Sequence, residues 1–250
     1  MFLFTHIEKC AGTSFNRTLS LTFPGYVHVT RNHYGGNDFK NDLTHDEFKQ
    51  LKKIWVSGIG GHSVRPYLSF LEIEKSFNIT FLRNPIERYM SQFNHEREMG
   101  FSENIESFIA KDYTENFMVN KLAGCNDFNL AKKILNNYDF IGDANNYLKS
   151  ISLLAAKMNV NFYGDGIKRN SRRQNENYLT YEDLSSTQQS VVLEQNKLDI
   201  DLYQDFILKD NYITKCQKYD FKKPSILRLK IIQKLDKIKR QKVNKIRRTQ

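Results

Sequence analysis

Hydrophobic and polar positions follow two rhythms along the chain. Short apolar runs rich in β-forming residues stand at Phe2–Thr5, Tyr26–Thr30, Ile54–Ser57 and Ile79–Leu82, each bounded by polar or turn-forming residues, and these read as strands. Elsewhere apolar residues recur at helical spacing, which predicts helices over Thr13–Thr22, Pro85–Met99, Ile105–Ala110, Leu130–Leu135, Tyr147–Met158 and Tyr181–Lys197. Phe23-Pro24-Gly25 stops the first helix, and Asn159–Tyr163 has the composition of a late strand. Strands that alternate with helices rather than with hairpin turns predict an α/β fold, a central parallel sheet flanked by helices in three layers. No internal repeat interrupts the pattern. After Pro224 the rhythm changes: Leu227, Ile231, Leu235 and Ile238 fall on one helical face and Lys or Arg occupy much of the rest. The pattern therefore divides the chain into a domain of residues 1–221 and a basic amphipathic helical tail of residues 222–250.

Charge sharpens that division. The 250 residues hold 38 Lys and Arg against 28 Asp and Glu, a formal charge of +10. Taken alone the excess suggests a polyanionic partner. However, residues 222–250 contain twelve of the basic residues and one acid, Asp236, so the tail is +11 and the domain is −1. The domain thus has no general excess of cations, and whatever binds anions there must do so locally.

Other features narrow the class. A chain this long can bury roughly 70–75% of its unfolded surface, so it needs no covalent or metal staple. Cys10, Cys125 and Cys216 are an odd number without metal-like spacing and read as reduced thiols. No HExxH, EF-hand or CxxC pattern occurs, so no metal is predicted. No apolar run reaches the length of about 18 residues that a membrane span needs. Met1-Phe-Leu-Phe-Thr5 lacks the basic, apolar and small-residue regions of a signal peptide. The expected place is cytoplasmic, with the tail allowing a peripheral position at a membrane.

Two segments carry candidate chemistry. His6-Ile7-Glu8-Lys9-Cys10-Ala11-Gly12-Thr13-Ser14-Phe15 leaves the first strand and enters a helix. A small-residue loop between strand and helix holds a phosphate-like anion on exposed amides and the positive end of the helix dipole. Lys9 would add a cation, and Thr13 and Ser14 hydroxyl donors. The loop is not a Walker A motif, because its lysine precedes the glycine by three residues. A plain strand-to-helix turn capped by Thr13 would use the same residues. The second segment is Leu82-Arg83-Asn84-Pro85-Ile86-Glu87-Arg88-Tyr89-Met90-Ser91. Asn84 suits an N-cap and Pro85 the first helical position, which leaves Arg83 at the carboxyl end of a strand, where open α/β sheets bind ligands. Arg83 and Ser91 could clamp a second phosphate; a well-capped helix with surface arginines is the alternative. Two such junctions favour a ligand with two separated anionic groups.

The first segment resembles the 5′-phosphosulfate loop of carbohydrate sulfotransferases, H-I-P-K-T-G-G-T-S/T-F, and the second resembles their 3′-phosphate motif, R-D/N-P-V-x-R-x-x-S. The order matches too, and the likeness is nearest to the heparan sulfate and uronyl 2-O-sulfotransferase group and its bacterial relatives. Residues 116–158 and Leu198–Tyr203 fit the same family pattern, so the resemblance spans about residues 1–206. It implies a P-loop-like fold and use of 3′-phosphoadenosine 5′-phosphosulfate (PAPS) as co-substrate, without a metal, to sulfate a carbohydrate hydroxyl. By carry-over the 5′-phosphosulfate would lie on His6, Lys9, Cys10, Ala11, Gly12, Thr13 and Ser14, and the 3′-phosphate on Arg83 and Ser91. Lys9 would stabilise the leaving oxygen. Ser57-Gly58-Ile59-Gly60-Gly61-His62 resembles the family's Gly-His segment, which implies His62 as general base; a flexible glycine turn with an incidental histidine is the alternative. His6 could orient the loop or serve as the base itself.

Three loop positions depart from the family pattern. Glu8 stands for a proline, Cys10 for a hydroxyl residue and Ala11 for a glycine, the last costly if that position has positive φ. His95 is expected to pack or to line the acceptor cleft, and His28, His33 and His45 to be surface or acceptor-loop residues. Lys168–Arg173 could fold over the nucleotide or form a solvated loop. The tail reads as a surface for anionic membrane or for a partner, or as a helix that packs by one turn; lacking aromatic residues, it is a poor nucleic-acid binder. Two other functions remain open on these residues. One is a nucleotide-dependent kinase with an atypical phosphate loop, the other a basic membrane or nucleic-acid adaptor on a P-loop-like scaffold.

Overall fold

The computed structural model describes residues 1–29, 43–53, 56–164, 178–208 and 221–248. Five strands form one sheet: β1 (Phe2–Thr5), β2 (Tyr26–His28), β3 (Gly58–Gly61), β4 (Phe77–Leu82) and β5 (Phe140–Asp143). Their order is β2-β3-β1-β4-β5 and each described pairing is parallel. The helices are α1 (Gly12–Thr22), α2 (His45–Lys53), α3 (Pro85–Glu98), α4 (Ile105–Ile109), α5 (Phe117–Ala123), α6 (Phe128–Leu135), α7 (Tyr147–Met158), α8 (Ser186–Gln195), α9 (Lys197–Tyr203) and α10 (Ile226–Arg248). This is the expected α/β fold with a central parallel sheet between helices. From β1 the chain crosses to β2 on one side, then returns past β1 to reach β4 on the other. That reversal puts a topological switch point at the carboxyl end of β1, where such sheets form their ligand crevices.

Side-chain alternation on β1 explains the layers. Phe2 and Phe4 face a large core that includes Phe15, Ile79, Phe81, Met118, Leu122 and Leu154, while Leu3 faces a second core with Val27, Ile59, Phe48 and Leu51. Both faces of β1 are thus buried, as a parallel sheet requires. Each fully enclosed Phe or Leu contributes about 1.5–3 kcal/mol.

The strand expected at Ile54–Ser57 lies instead at Gly58–Gly61; Ile54 itself falls outside the described residues. Three glycines form β3 because aromatic side chains lie across it. A methyl group at Gly58 would overlap the Phe2 ring, and one at Gly60 would overlap Phe4 and the Tyr26 hydroxyl. Weak strand propensity is overridden by the need for that close approach. Further differences are local. Asn159–Tyr163 forms no strand, contributing one parallel bridge between Tyr163 and Lys222. Tyr181–Lys197 is broken into a 3₁₀ turn at Tyr181–Asp183, then α8 and the start of α9. The second strand ends at His28, and Thr30 is outside the described residues.

The start of the tail is anchored to the domain. Arg228 donates from Nε to Leu21 O at 3.0 Å and from Nη2 to Thr22 O at 2.8 Å, and its guanidinium lies 3.8 Å above the Tyr163 ring. A cation thereby meets the carbonyl end of α1. Ile232, one turn on, is buried. Arg228 and Ile232 lie on the docked side, whereas three residues of the apolar stripe, Leu227, Ile231 and Ile238, are 69%, 48% and 42% exposed.

Candidate active site

The loop from β1 to α1 makes two left-handed turns. Lys9 has φ 66° and Ala11 φ 62°, so the position at which the family pattern has glycine does require positive φ, and here an alanine adopts it. Ala11 is the N-cap of α1, where the plain-turn alternative has Thr13, and it offers no side-chain cap. No acid occupies the first turn. The leading amides of α1 therefore have no capping side chain and no acid in their own turn, which suits a bound anion. Thr13 is exposed there, whereas Ser14 is buried and engaged. The Cys10 side chain turns into the core, where burial pushes its thiol up to about 12, and its amide donates to Ile7 O at 3.3 Å.

Lys9 stands at the mouth of this loop. Enclosure, followed by the charge of Arg83, lowers its pKa from 10.5 to about 8. Its ammonium has no hydrogen bond or ion pair among the described residues. Arg83, at the end of β4, donates from Nη1 to Lys9 O at 3.2 Å and from Nη2 to Glu87 at 3.2 Å, while its buried Nε has no partner among the described residues. The two candidate segments of the sequence thus meet through this contact. Asn84 caps α3 by accepting from Ile86 N and Glu87 N, as expected. Ser91 is half-buried on α3, two turns along. Arg88 is no surface arginine: it is fully buried, with its guanidinium 4.3 Å from the Phe117 ring centre.

Two histidines meet at the carboxyl ends of β1 and β3. The His6 ring stacks on His62 with centroids 3.9 Å apart. Its Nδ1 lies 3.1 Å from Asn16 Nδ2, and Asn16 Oδ1 accepts from the Tyr26 hydroxyl. The Tyr26 bond orients the Asn16 amide, so His6 Nδ1 is an acceptor and the ring is neutral. Burial, then His62, lowers its pKa well below 6.5 in the same sense. Gly12 is required by this stack, since a methyl group there would overlap the His6 ring.

His62 follows β3 and is partly open, its side chain 24% exposed. Its Nδ1 lies 2.9 Å from Glu8 Oε1, an ion-pair contact not aligned as a hydrogen bond. Lys121, a buried residue of α5, reaches the same oxygen at 3.0 Å and donates to His62 O at 2.8 Å. Burial would raise the Glu8 carboxyl, but Lys121 and His62 outweigh it and hold the group well below 4.5. In the sequence Glu8 reads only as a replacement for a proline, and nothing local marks Lys121 as its partner. Lys121 is 113 residues away, and no local pattern marks a lone lysine on an apolar helix as buried.

A distant carboxylate sets the helix that carries Lys121. Asp199 of α9 accepts from Met118 N at 2.9 Å and Val119 N at 2.8 Å, and Asn116 accepts in return from Leu198 N at 2.9 Å. Burial pushes Asp199 up to about 6 despite Arg88 and those two amides. The family-like segments 116–123 and 198–203 thus form one seam.

The remaining histidines are more peripheral. His95 is half-buried on α3, its protonation disfavoured by burial and then by Lys9. His28 ends β2, with enclosure and then His62 disfavouring its charge. His45 begins α2 beside Phe70. His33 and Lys168–Arg173 lie outside the described residues. Among the described residues, no group of three or more His, Cys, Asp or Glu could hold a metal ion.

Comparison with known proteins adds one finding: residues 1–222 match the model of a family described as the sulfotransferase family. No curated protein matches the chain.

Proposed function

The chain belongs to the sulfotransferase family, and on that premise we propose that it moves the sulfuryl group of PAPS to a hydroxyl of a carbohydrate acceptor. The observation that carries the reading is the contact of His62 with the β1–α1 loop through Glu8, next to Lys9, in a loop whose helix amides have no capping side chain. Lys9, Gly12 and Thr13, together with Ser14, hold the 5′-phosphosulfate; Arg83, with its unpartnered Nε, and Ser91 hold the 3′-phosphate. His6, Cys10 and Ala11 shape the loop through packing and backbone. Lys9 neutralises the charge that grows on the bridging oxygen, help commonly worth ~3–4 kcal/mol for a well-placed donor.

His62 is the general base and His6 its support. His6 is buried and its acceptor nitrogen is occupied by Asn16, whereas His62 is partly open. The Gly-His segment supports kinship with the 2-O-sulfotransferase group. A sulfuryl group carries less negative charge than a terminal phosphoryl group, which suits a site of lysine and arginine without a metal.

The exposed apolar face of α10, with lysines around it, supports an anionic membrane surface as the tail's partner. No described helix is long and apolar enough to cross a membrane.

The test is transfer from labelled PAPS to a panel of glycans, alongside the melting temperature with 3′,5′-ADP. Sulfation of a sugar and a rise in melting temperature are expected. His62→Ala should abolish most transfer and leave the ADP shift intact. Absence of both transfer and shift at saturating ligand would refute the reading.

A further inference from the structure

Glu8 is the loop residue whose chemistry departs furthest from the family pattern, a carboxylate in place of a proline. Resting on the reading of His62 as base, we propose that Glu8 is a positioning residue that holds the His62 ring with Nδ1–H toward its carboxylate and Nε2 toward the acceptor hydroxyl, with Lys121 locking both.

The geometry ties three separate elements together. Glu8 comes from the β1–α1 loop, His62 from the end of β3 and Lys121 from α5. Glu8 Oε1 is 2.9 Å from His62 Nδ1 and 3.0 Å from Lys121 Nζ, and Lys121 Nζ donates to His62 O at 2.8 Å. These contacts close a ring through both ends of His62, its imidazole and its own carbonyl. A carboxylate only accepts and a neutral imidazole has one N–H, so the nitrogen facing Glu8 is the donor and Nε2 keeps its lone pair. Such contacts are often misaligned without substrate and tighten in the complex.

Glu8 does more than neutralise Lys121. A buried ammonium needs a counter-charge, yet that need would be met without the same oxygen also facing the imidazole. Around His62, His6 stacks on the ring and Lys121 donates to the His62 carbonyl, while Glu8 presents an acceptor oxygen to Nδ1 from the loop.

In the reaction the acceptor O–H bond breaks and its proton passes to Nε2. The acceptor oxygen forms a bond to sulfur, and the bond from sulfur to the bridging oxygen breaks. 3′,5′-ADP leaves with that electron pair. Nothing is oxidised or reduced, and the new imidazolium rests beside the Glu8 carboxylate.

The experiment pairs a spectrum with kinetics on the full chain. ¹⁵N-histidine NMR, assigned with His62→Ala, should report the Nδ1–H tautomer at His62 in the wild type and its loss in Glu8→Gln. In transfer from labelled PAPS, Glu8→Gln should lower kcat roughly 10- to 1000-fold, within the worth of a general base, with the KM for PAPS and the 3′,5′-ADP melting shift unchanged. Glu8→Asp should restore the tautomer and part of kcat. If Glu8→Gln unfolds, Glu8→Gln with Lys121→Met removes both charges and carries the same spectral test. An Nε2–H tautomer in the wild type, or an unchanged tautomer and full kcat in Glu8→Gln, overturns the proposal while leaving the transfer reading standing. Loss of the tautomer in Glu8→Gln, in a protein that transfers sulfate to no sugar, sustains the positioning role and defeats the carbohydrate reading instead.

Discussion

Substituting Gly12 by alanine tests how the loop is packed. The added methyl group would overlap the His6 ring itself, not the end of a flexible chain. That ring cannot easily yield. It stacks on His62 at 3.9 Å on one side and lies 5.7 Å from Phe4, also stacked, and Asn16 holds its Nδ1 at 3.1 Å. Moving it would break the Tyr26–Asn16–His6 chain or push His62 off Glu8. Overpacking of this kind costs about 1–3 kcal/mol. For a domain of this size each kcal/mol lowers the melting temperature by about 2–4 °C, so Gly12→Ala should melt roughly 2–12 °C lower.

The assay is thermal unfolding of four proteins: wild type, Gly12→Ala, His6→Ala and the double variant. Removing the His6 ring clears the space, so the double variant should be more stable than the sum of the single losses predicts. Gly12→Ala melting with the wild type, or full additivity in the cycle, would refute the reasoning. Either result would mean that Gly12 is not there to admit His6.

Other expectations concern titration and the tail. Lys9, with its pKa lowered to about 8, loses its charge as pH rises through that value, so kcat/KM for PAPS should fall above pH 8; Lys9→Arg should remove this alkaline limb, and a flat wild-type profile to pH 9.5 would count against it. Asp199 is raised from 3.8 to about 6, so its contribution to stability is complete below pH 4 and is lost as pH rises toward 6. Asp199→Asn should flatten that part of the urea-midpoint profile relative to wild type, yet be less stable at pH 7, because one amide of α5 loses its acceptor at about 1–3 kcal/mol. Deleting residues 236–250 preserves Arg228 and Ile232 and should keep the melting temperature within a few degrees while weakening sedimentation with anionic vesicles; Arg228→Ala should instead lower the melting temperature, through loss of its bonds to α1.

Local chemistry made much of this protein legible from its sequence. Strand Phe2–Thr5, the capped helix after Asn84 and the loop around Gly12 are each specified by residues within a few positions of one another, through β-propensity, capping and turn preference. The parallel α/β class followed from the alternation of such units, and the charge partition between domain and tail needed only counting. Where propensity and tertiary need conflict, pattern misleads. β3 is glycine-rich because Phe2, Phe4 and Tyr26 lie over it, and those rings are distant in the chain.

The tertiary structure alone decided the partners across long separations. Glu8, His62 and Lys121 come together because strand order places the ends of β1 and β3 side by side, with α5 above them. Asp199 caps a helix some eighty residues earlier, and Arg228 reaches back to the end of α1. A carboxylate in a loop motif reads locally as a lost proline. Only the fold supplies the imidazole and the ammonium that make it a counter-charge, because electrostatic pairing depends on distance in space and leaves no periodic mark along the chain.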